Sequence, residues 1–350
     1  MDSAPTAHTA PTAHTAPTAH TTNTAPTASA AHTAATEQAA RTGQTATAGH
    51  TGATAGPATG GRPDGASTRP ATPAPDGAPA PTAPAPPAPD PLFTAVDAPA
   101  FTARHLARLA GGTLAAVRVP HFLGPAECRA VTEALDRLPT APYDRGRVPT
   151  RVLRFGPALN DHRLPGGVLD ADRYWAQADA ARTAWDRAAV RPDAVAHAMD
   201  RIGEAWGAPV GPATIGGREA FGGTVREIET GLLMHFDDIN REFPDGLFDQ
   251  HVIGQLAFNL YVDVPSGGGA TFVWRHRWEP ADEEHREAYG YRPGAVAGCQ
   301  RVELPPSLGD GLLFDPAHFH AVEPNRGGGR RIAFAFFLGI TTGGRLVVWS

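Results

Sequence analysis

Residues 255–263 read QLAFNLYVD, and they alternate with period two. Gln255, Ala257, Asn259 and Tyr261 fall on one side, and Leu256, Phe258, Leu260 and Val262 on the other. This is a strand with one face on a core and the other lined with polar groups. Pro265, Ser266 and three glycines then turn into residues 270–274, the second arm of a hairpin. Working outward, 224–228, 301–304, 311–314 and 331–338 are further short apolar or alternating runs punctuated by Gly and Pro. Upstream the texture differs. Residues 113–119 alternate as a strand, and Gly124-Pro125 opens a helix with Cys128, Val131, Leu135 and Leu138 at three- and four-residue steps. Residues 170–206 form an Ala-rich helical stretch divided at Pro192. Helices followed by many short strands predict an α+β fold, a double-stranded β-helix (the cupin-like jelly roll) buttressed by N-terminal helices.

The N-terminal quarter of the chain cannot belong to that core. Residues 1–92 contain no Val, Ile, Phe, Trp, Tyr or Cys, and Leu92 is their only leucine. Such an Ala/Thr/Pro stretch buries too little apolar surface to offset the entropy of ordering, so a disordered tail is expected over 1–92. His8, His14 and His20 recur in it at six-residue spacing as incidental members of a repeat. The domain is expected over 93–350, with helical support over 93–215 and the jelly-roll core over 216–345.

Charge narrows the range of partners. The chain carries −6, of which the first 92 residues contribute −2 and the remainder −4. A mildly acidic domain without a basic run predicts no nucleic-acid or membrane partner, and a small-molecule substrate is expected instead. All 30 basic residues are arginine, which excludes a P-loop lysine and Schiff-base chemistry. Cys128 and Cys299 form no CxxC pair, so neither a disulfide framework nor a thiolate zinc site is indicated. With no long apolar run and no signal-peptide layout, a cytoplasmic protein is expected.

Two stretches of the strand-rich half carry metal-binding residue types. In His235-Phe236-Asp237, residues two apart on an extended strand face the same way, so an imidazole and a carboxylate can hold one ion together. Gly309-Asp310 turns into the run 311–314, and His320 follows six residues later. Two histidines and one carboxylate, with the remaining coordination open, make the facial triad of non-haem ferrous oxygenases. His318 shares the parity of His320 and is its rival as third ligand. His320 is preferred because Ala321-Val322-Glu323-Pro324 continues as a returning strand would. Further on, Arg331, Ala333 and Ala335 share a small-residue face, while Ile332, Phe334 and Phe336 can fill a core. A guanidinium on the floor of such a cavity suits a carboxylate, and Tyr261 and Asn259 can donate to a bound oxoacid. Arg330 is the alternative anchor, read as a surface charge.

In this order, His235-X-Asp237, Gly267 to Thr271, Gly309-Asp310, His320 with Val322 and Pro324, and Gly329 before an arginine, the chain resembles the iron(II)- and 2-oxoglutarate-dependent oxygenases. The likeness spans residues 113–338, and the stretch 117–128 resembles the strand-then-helix entry of their prolyl-hydroxylase-like branch. More narrowly, residues 255–261, Arg277-Trp278, Tyr289-Gly290-Tyr291 and the ending 331–339 are similar to the free-standing halogenases that chlorinate indole alkaloids. Those enzymes replace the iron-binding carboxylate by glycine to admit chloride. This chain has Asp237, which favours hydroxylation.

The resemblance implies that His235, Asp237 and His320 are metal ligands and catalytic residues holding Fe(II). It implies 2-oxoglutarate as cosubstrate, with Arg331 on its distal carboxylate, and O2 as oxidant. The expected reaction hydroxylates an unactivated C–H of a small molecule in specialised metabolism, and 2-oxoglutarate leaves as succinate. Desaturation, cyclisation, epimerisation or halogenation by the same iron chemistry, and a non-catalytic jelly-roll binding or sensor protein, are the alternatives. A cupin-type metal enzyme without an oxoacid is disfavoured by Arg331. The insert 274–300 is expected to form a partly helical flap, with Trp278, Tyr289 and Tyr291 as substrate contacts. Arg151, Arg154 and Arg241 are candidates for an anionic substrate group.

Overall fold

The structure, a computed structural model, describes residues 92–143 and 152–350. The expected disordered tail therefore lies, except for Leu92, outside the described residues, and so does Arg151. Four helices precede the main strand region: α1 Ala103–Ala110, α2 Pro125–Leu135, α3 Ala171–Ala188 and α4 Ala194–Trp206. Their starts follow local chemistry. Thr102 Oγ1 accepts from the His105 amide, Asp170 from that of Arg173, and Asp193 from those of Val195 and Ala196. Pro125 occupies the first turn of α2, where no amide donor is needed. Gly207, at φ 85°, closes α4.

Strands β1 Ala116–Val119, β2 Val152–Phe155, β3 Thr224–Ile228, β4 Leu232–His235, β5 Val252–Asp263 and β6 Thr271–Arg277 come next in chain order. They are followed by β7 Arg301–Leu304, β8 Gly311–Phe314, β9 His318–Val322, β10 Ile332–Thr341 and β11 Leu346–Trp349. The larger sheet runs β1-β8-β5-β10-β3-β2, extended at its ends by Ala95–Asp97 and Ala141–Pro142, with β11 on β10. The smaller sheet runs β4-β9-β6-β7. Strands β3 to β10 thus divide four and four between two sheets, the jelly roll that the sequence pattern predicts. No helix among the described residues is long and apolar enough to cross a membrane.

Two boundaries differ from the sequence expectation for physical reasons. The strand expected from Thr113 starts at Ala116, because the Thr113 amide and hydroxyl both bond the Arg108 carbonyl and so finish helix α1. The large sheet also recruits β1 and β2 from the helical half, and β11 lies beyond residue 345.

The two faces of β5 and β10 divide the interior. Leu256, Phe258, Leu260, Phe334, Phe336 and Leu338 are buried in one cluster with residues of all four helices. Truncating a fully buried phenylalanine such as Phe258 costs about 3–5 kcal/mol. On the opposite face Asn259 pairs with Ala335 and Tyr261 with Ala333. Alanine on one strand beside a polar residue on the next leaves space inside the roll. It is not a solvent-facing side.

Candidate active site

His235 is the last residue of β4, and its register partner across the sheet is His320, at the middle of β9. The two rings lie 4.3 Å apart between centroids. Asp237 sits just past the end of β4, where its amide donates to the Pro316 carbonyl. Each imidazole is oriented by its own strand. His235 Nδ1 is 2.7 Å from the Leu233 carbonyl, and His320 Nδ1 is 3.0 Å from that of His318. A carbonyl only accepts, so both Nδ1 atoms carry the proton and both Nε2 atoms present lone pairs. Those lone pairs converge on Asp237, whose Oδ2 is 3.4 Å from His320 Nε2 and 3.8 Å from His235 Nε2. All three donor atoms fall within 4.8 Å of one another.

The electrostatics suit a cation. Burial, reinforced by His320, pushes the His235 pKa down to about 4 and keeps the ring a neutral ligand. Burial alone would raise that of Asp237. The surrounding electrostatics, the Arg226 guanidinium included, outweigh it and hold the carboxyl down at about 2. Two neutral imidazoles and a carboxylate on one side of a point, with the other side open, fit ferrous iron.

His318 is elsewhere. It faces the same way as His320 but packs edge-on against Phe93 at 5.1 Å, and neither of its ring nitrogens has a hydrogen-bond partner. Among the described residues it is not part of the three-ligand group.

Behind the triad runs a narrow cleft lined by Asn259, Thr271, Phe314, Arg331, Ala333 and Ala335 among others. Arg331 is 2% exposed. Its Nε donates to the Gly269 carbonyl at 2.9 Å, its Nη2 donates to Thr271 Oγ1 at 3.2 Å and Tyr261 Oη at 3.5 Å, and the guanidinium lies over the Tyr261 ring. Gly269 makes this approach possible: it sits at φ 73°, and a Cβ there would be 3.1 Å from Arg331 Cδ. Arg330 points outward to Glu227 and Asp136.

In front of the triad opens a chamber of about 620 Å³. The insert forms short 3-10 turns, Pro280–His285 and Pro293–Val296, and a small hairpin, and it contributes Trp278, Tyr289 and Tyr291 to the wall. Glu283 ties the insert together by accepting from Trp278 Nε1 and Tyr291 Oη, both at 2.8 Å. Arg286 and these donors hold its pKa down at about 2. Of the arginines considered for the substrate, Arg154 pairs with Asp161 at 2.7 Å, and Arg241 pairs with Asp238 at 3.6 Å while stacking on Trp278.

Sequence reasoning missed Arg226 and Tyr143. Arg226 lines both the cleft and the chamber, and Tyr143 the chamber. The one available signal was a charged residue in the middle of the short strand 224–228. The parity that turns it inward is known only once the strand is paired.

Fold, donor set and sequence agree on the class: the chain belongs to the Fe(II)- and 2-oxoglutarate-dependent oxygenases, and it is an enzyme of that kind. It is 52% identical over 258 residues to the L-γ-glutamyl-L-propargylglycine hydroxylase of Streptantibioticus cattleyicolor, which covers 74% of this chain and 96% of that protein. Residues 212–350 match the family described as carrier-protein-independent halogenase WelO5. The leucinostatins biosynthesis cluster protein S of Purpureocillium lilacinum is 27% identical over 41% of this chain and 63% of its own length. Among solved structures, an N-substituted L-amino acid dioxygenase from Burkholderia ambifaria is similar at a TM-score of 0.48 and 20% identity, covering 71% of this chain and 91% of that one. The enzyme uses Fe(II), 2-oxoglutarate and O2, and its chemistry is hydroxylation.

Proposed function

We propose that His235, Asp237 and His320 ligate Fe(II), that Arg331 binds the distal carboxylate of 2-oxoglutarate, and that the substrate is a γ-glutamyl-linked amino acid hydroxylated on its side chain. The observation that carries this reading is the convergence of two Nε2 lone pairs and one carboxylate at the junction of cleft and chamber. Asp237 fills the position that halogenases leave to chloride, so oxygen rather than halide is delivered. Bound at that junction, ferrous iron supplies oxygen activation, one oxygen atom entering the substrate as 2-oxoglutarate leaves as succinate and CO2.

The chain's own part is placement. The backbone carbonyls of Leu233 and His318 fix both ring tautomers and so aim the lone pairs. Arg331 is buried in the cleft wall, where Thr271 and Tyr261 hold its fork in place, and Asn259 adds a polar group to the wall. Apart from these groups, the triad and Arg226, the cleft is lined by apolar side chains, which keeps water from competing for the oxidant. The chamber, with aromatic rings on one wall and paired charges around its rim, takes the dipeptide. The similarity to the propargylglycine dipeptide hydroxylase supports that substrate class. Two free thiols and a need for reduced iron are in keeping with a cytoplasmic setting, and the domain carrying all of this is 93–350.

The test is turnover with Fe(II), 2-oxoglutarate, O2 and γ-glutamyl-propargylglycine. The expected outcome is succinate released in step with a dipeptide heavier by one oxygen atom. Succinate release indifferent to every γ-glutamyl amino acid, or a chlorinated product, would overturn the reading.

A further inference from the structure

Arg226 stands in the middle of β3, opposite Arg154 on β2 and Ala333 on β10. Its side chain borders the inner cleft and the outer chamber at once, as do His235 and Asp237, so it reaches the junction where the oxidised carbon must sit. Its guanidinium hydrogen-bonds Tyr143 and feels the Asp237 and Asp161 carboxylates, while its Nε has no hydrogen-bond partner. A buried guanidinium is costly unless charged and polar partners surround it, and the part of Arg226 that borders the two cavities is open to such a partner.

The surrounding charges say what kind of molecule. Around the chamber Asp238 is paired with Arg241, Glu283 with Arg286 and Asp161 with Arg154, and Arg163 and Glu242 add one charge of each sign. What remains at the junction is Arg226 and Arg331 against Asp237. A divalent ion adds two positive charges, and a dianionic oxoacid removes two. One positive charge is left unbalanced, on the side facing the chamber. Leu232 and Val152 on the chamber wall supply apolar surface for a side chain.

We propose that Arg226 binds the α-carboxylate of the amino-acid unit being oxidised, an assignment that rests on the γ-glutamyl dipeptide reading. Of the two carboxylates of such a dipeptide, this one belongs to the residue whose side chain faces the iron. The other lies at the far end of the γ-glutamyl arm. The guanidinium fork and a carboxylate match in shape as well as charge, so Arg226 sets both which end of the dipeptide enters first and how the reacting side chain is turned.

The experiment is anaerobic calorimetry on the Fe(II)- and 2-oxoglutarate-loaded enzyme, with γ-glutamyl-propargylglycine and its C-terminal carboxamide as probes. These are compared in wild type, Arg226→Gln and Arg226→Lys. Binding is read without turnover, and the affinity of each variant for 2-oxoglutarate reports that the fold and cleft are intact. In wild type the carboxamide should bind about 10- to 100-fold more weakly than the acid, as for loss of a charged hydrogen-bond pair. Arg226→Gln should weaken the acid by the same factor and no longer distinguish it from the amide, with Arg226→Lys in between. Undiminished acid-over-amide preference in Arg226→Gln would overturn the assignment. Loss of 2-oxoglutarate affinity with dipeptide discrimination intact would overturn it in favour of the cosubstrate's carboxylate. A wild type that ignores γ-glutamyl dipeptides but binds free or N-acyl amino acids refutes the dipeptide reading alone, and the acid–amide comparison in that series still decides Arg226. A wild type that binds no such acid refutes both.

Discussion

The inner cleft and the outer chamber meet at His235 and Asp237, yet they are built by different means. In the cleft the histidines are placed by main-chain pairing and Arg331 by its neighbours on paired strands. His235 faces His320 through strand register, and Arg331 is clamped by the Gly269 carbonyl and two hydroxyls. One chamber wall is held by side chains on an insert between β6 and β7, organised around the carboxylates of Glu283 and Asp282. A sheet cannot shift register without turning all its side chains over, whereas an insert can change sequence without disturbing the barrel. Iron chemistry belongs to the first, and the insert adds substrate contacts to those made from the barrel strands by residues such as Arg226, so mutations in the insert should leave the iron and cosubstrate sites unaffected.

The largest effect is expected from the triad. His320→Ala or His235→Ala should abolish iron-dependent succinate formation, measured by chromatography, as should a chelator acting on the wild type. Next, Arg331→Gln should raise the KM for 2-oxoglutarate about 10- to 100-fold while leaving the KM for the dipeptide within a few-fold. Trp278→Ala reverses that pattern. Losing the ring that stacks on Arg241 and donates to Glu283 should raise the dipeptide KM about five- to tenfold, with 2-oxoglutarate unaffected. The smallest is Arg330→Ala. Its ion pairs with Glu227 and Asp136 are partly exposed, so it should cost about 1 kcal/mol or less, seen as a drop of a few degrees in Tm with both KM values unchanged. If Trp278→Ala and Arg331→Gln moved the same KM, the division between the regions would fail.

Much of the roll is legible in the sequence because its strands alternate. Thr224–Ile228, Arg301–Leu304 and Gly311–Phe314 have the same limits in the structure as in the hydrophobic pattern. The spacing of His235 and Asp237 and the small face beginning at Arg331 carry their meaning locally, over a few residues. His320 against His318 is different in kind. Both have the same parity, and only the register of β9 against β4 separates the one that faces His235 from the one that packs on Phe93. Arg226 was hidden for the same reason, since its reach into the junction depends on β3 lying between β2 and β10. Nor can a sequence pattern reveal that Arg154 and Arg241 are already satisfied by Asp161 and Asp238, because ion pairing is a property of packed side chains.

The most direct measurement is an anaerobic titration of the metal-free enzyme with Fe(II) in the presence of 2-oxoglutarate, followed by visible absorption, on wild type, His318→Ala and His320→Ala. One equivalent of iron should give a weak charge-transfer band in wild type and His318→Ala and none in His320→Ala. A band that survives in His320→Ala but vanishes in His318→Ala, or folded iron-loaded wild type without one, would contradict the assignment of the metal centre.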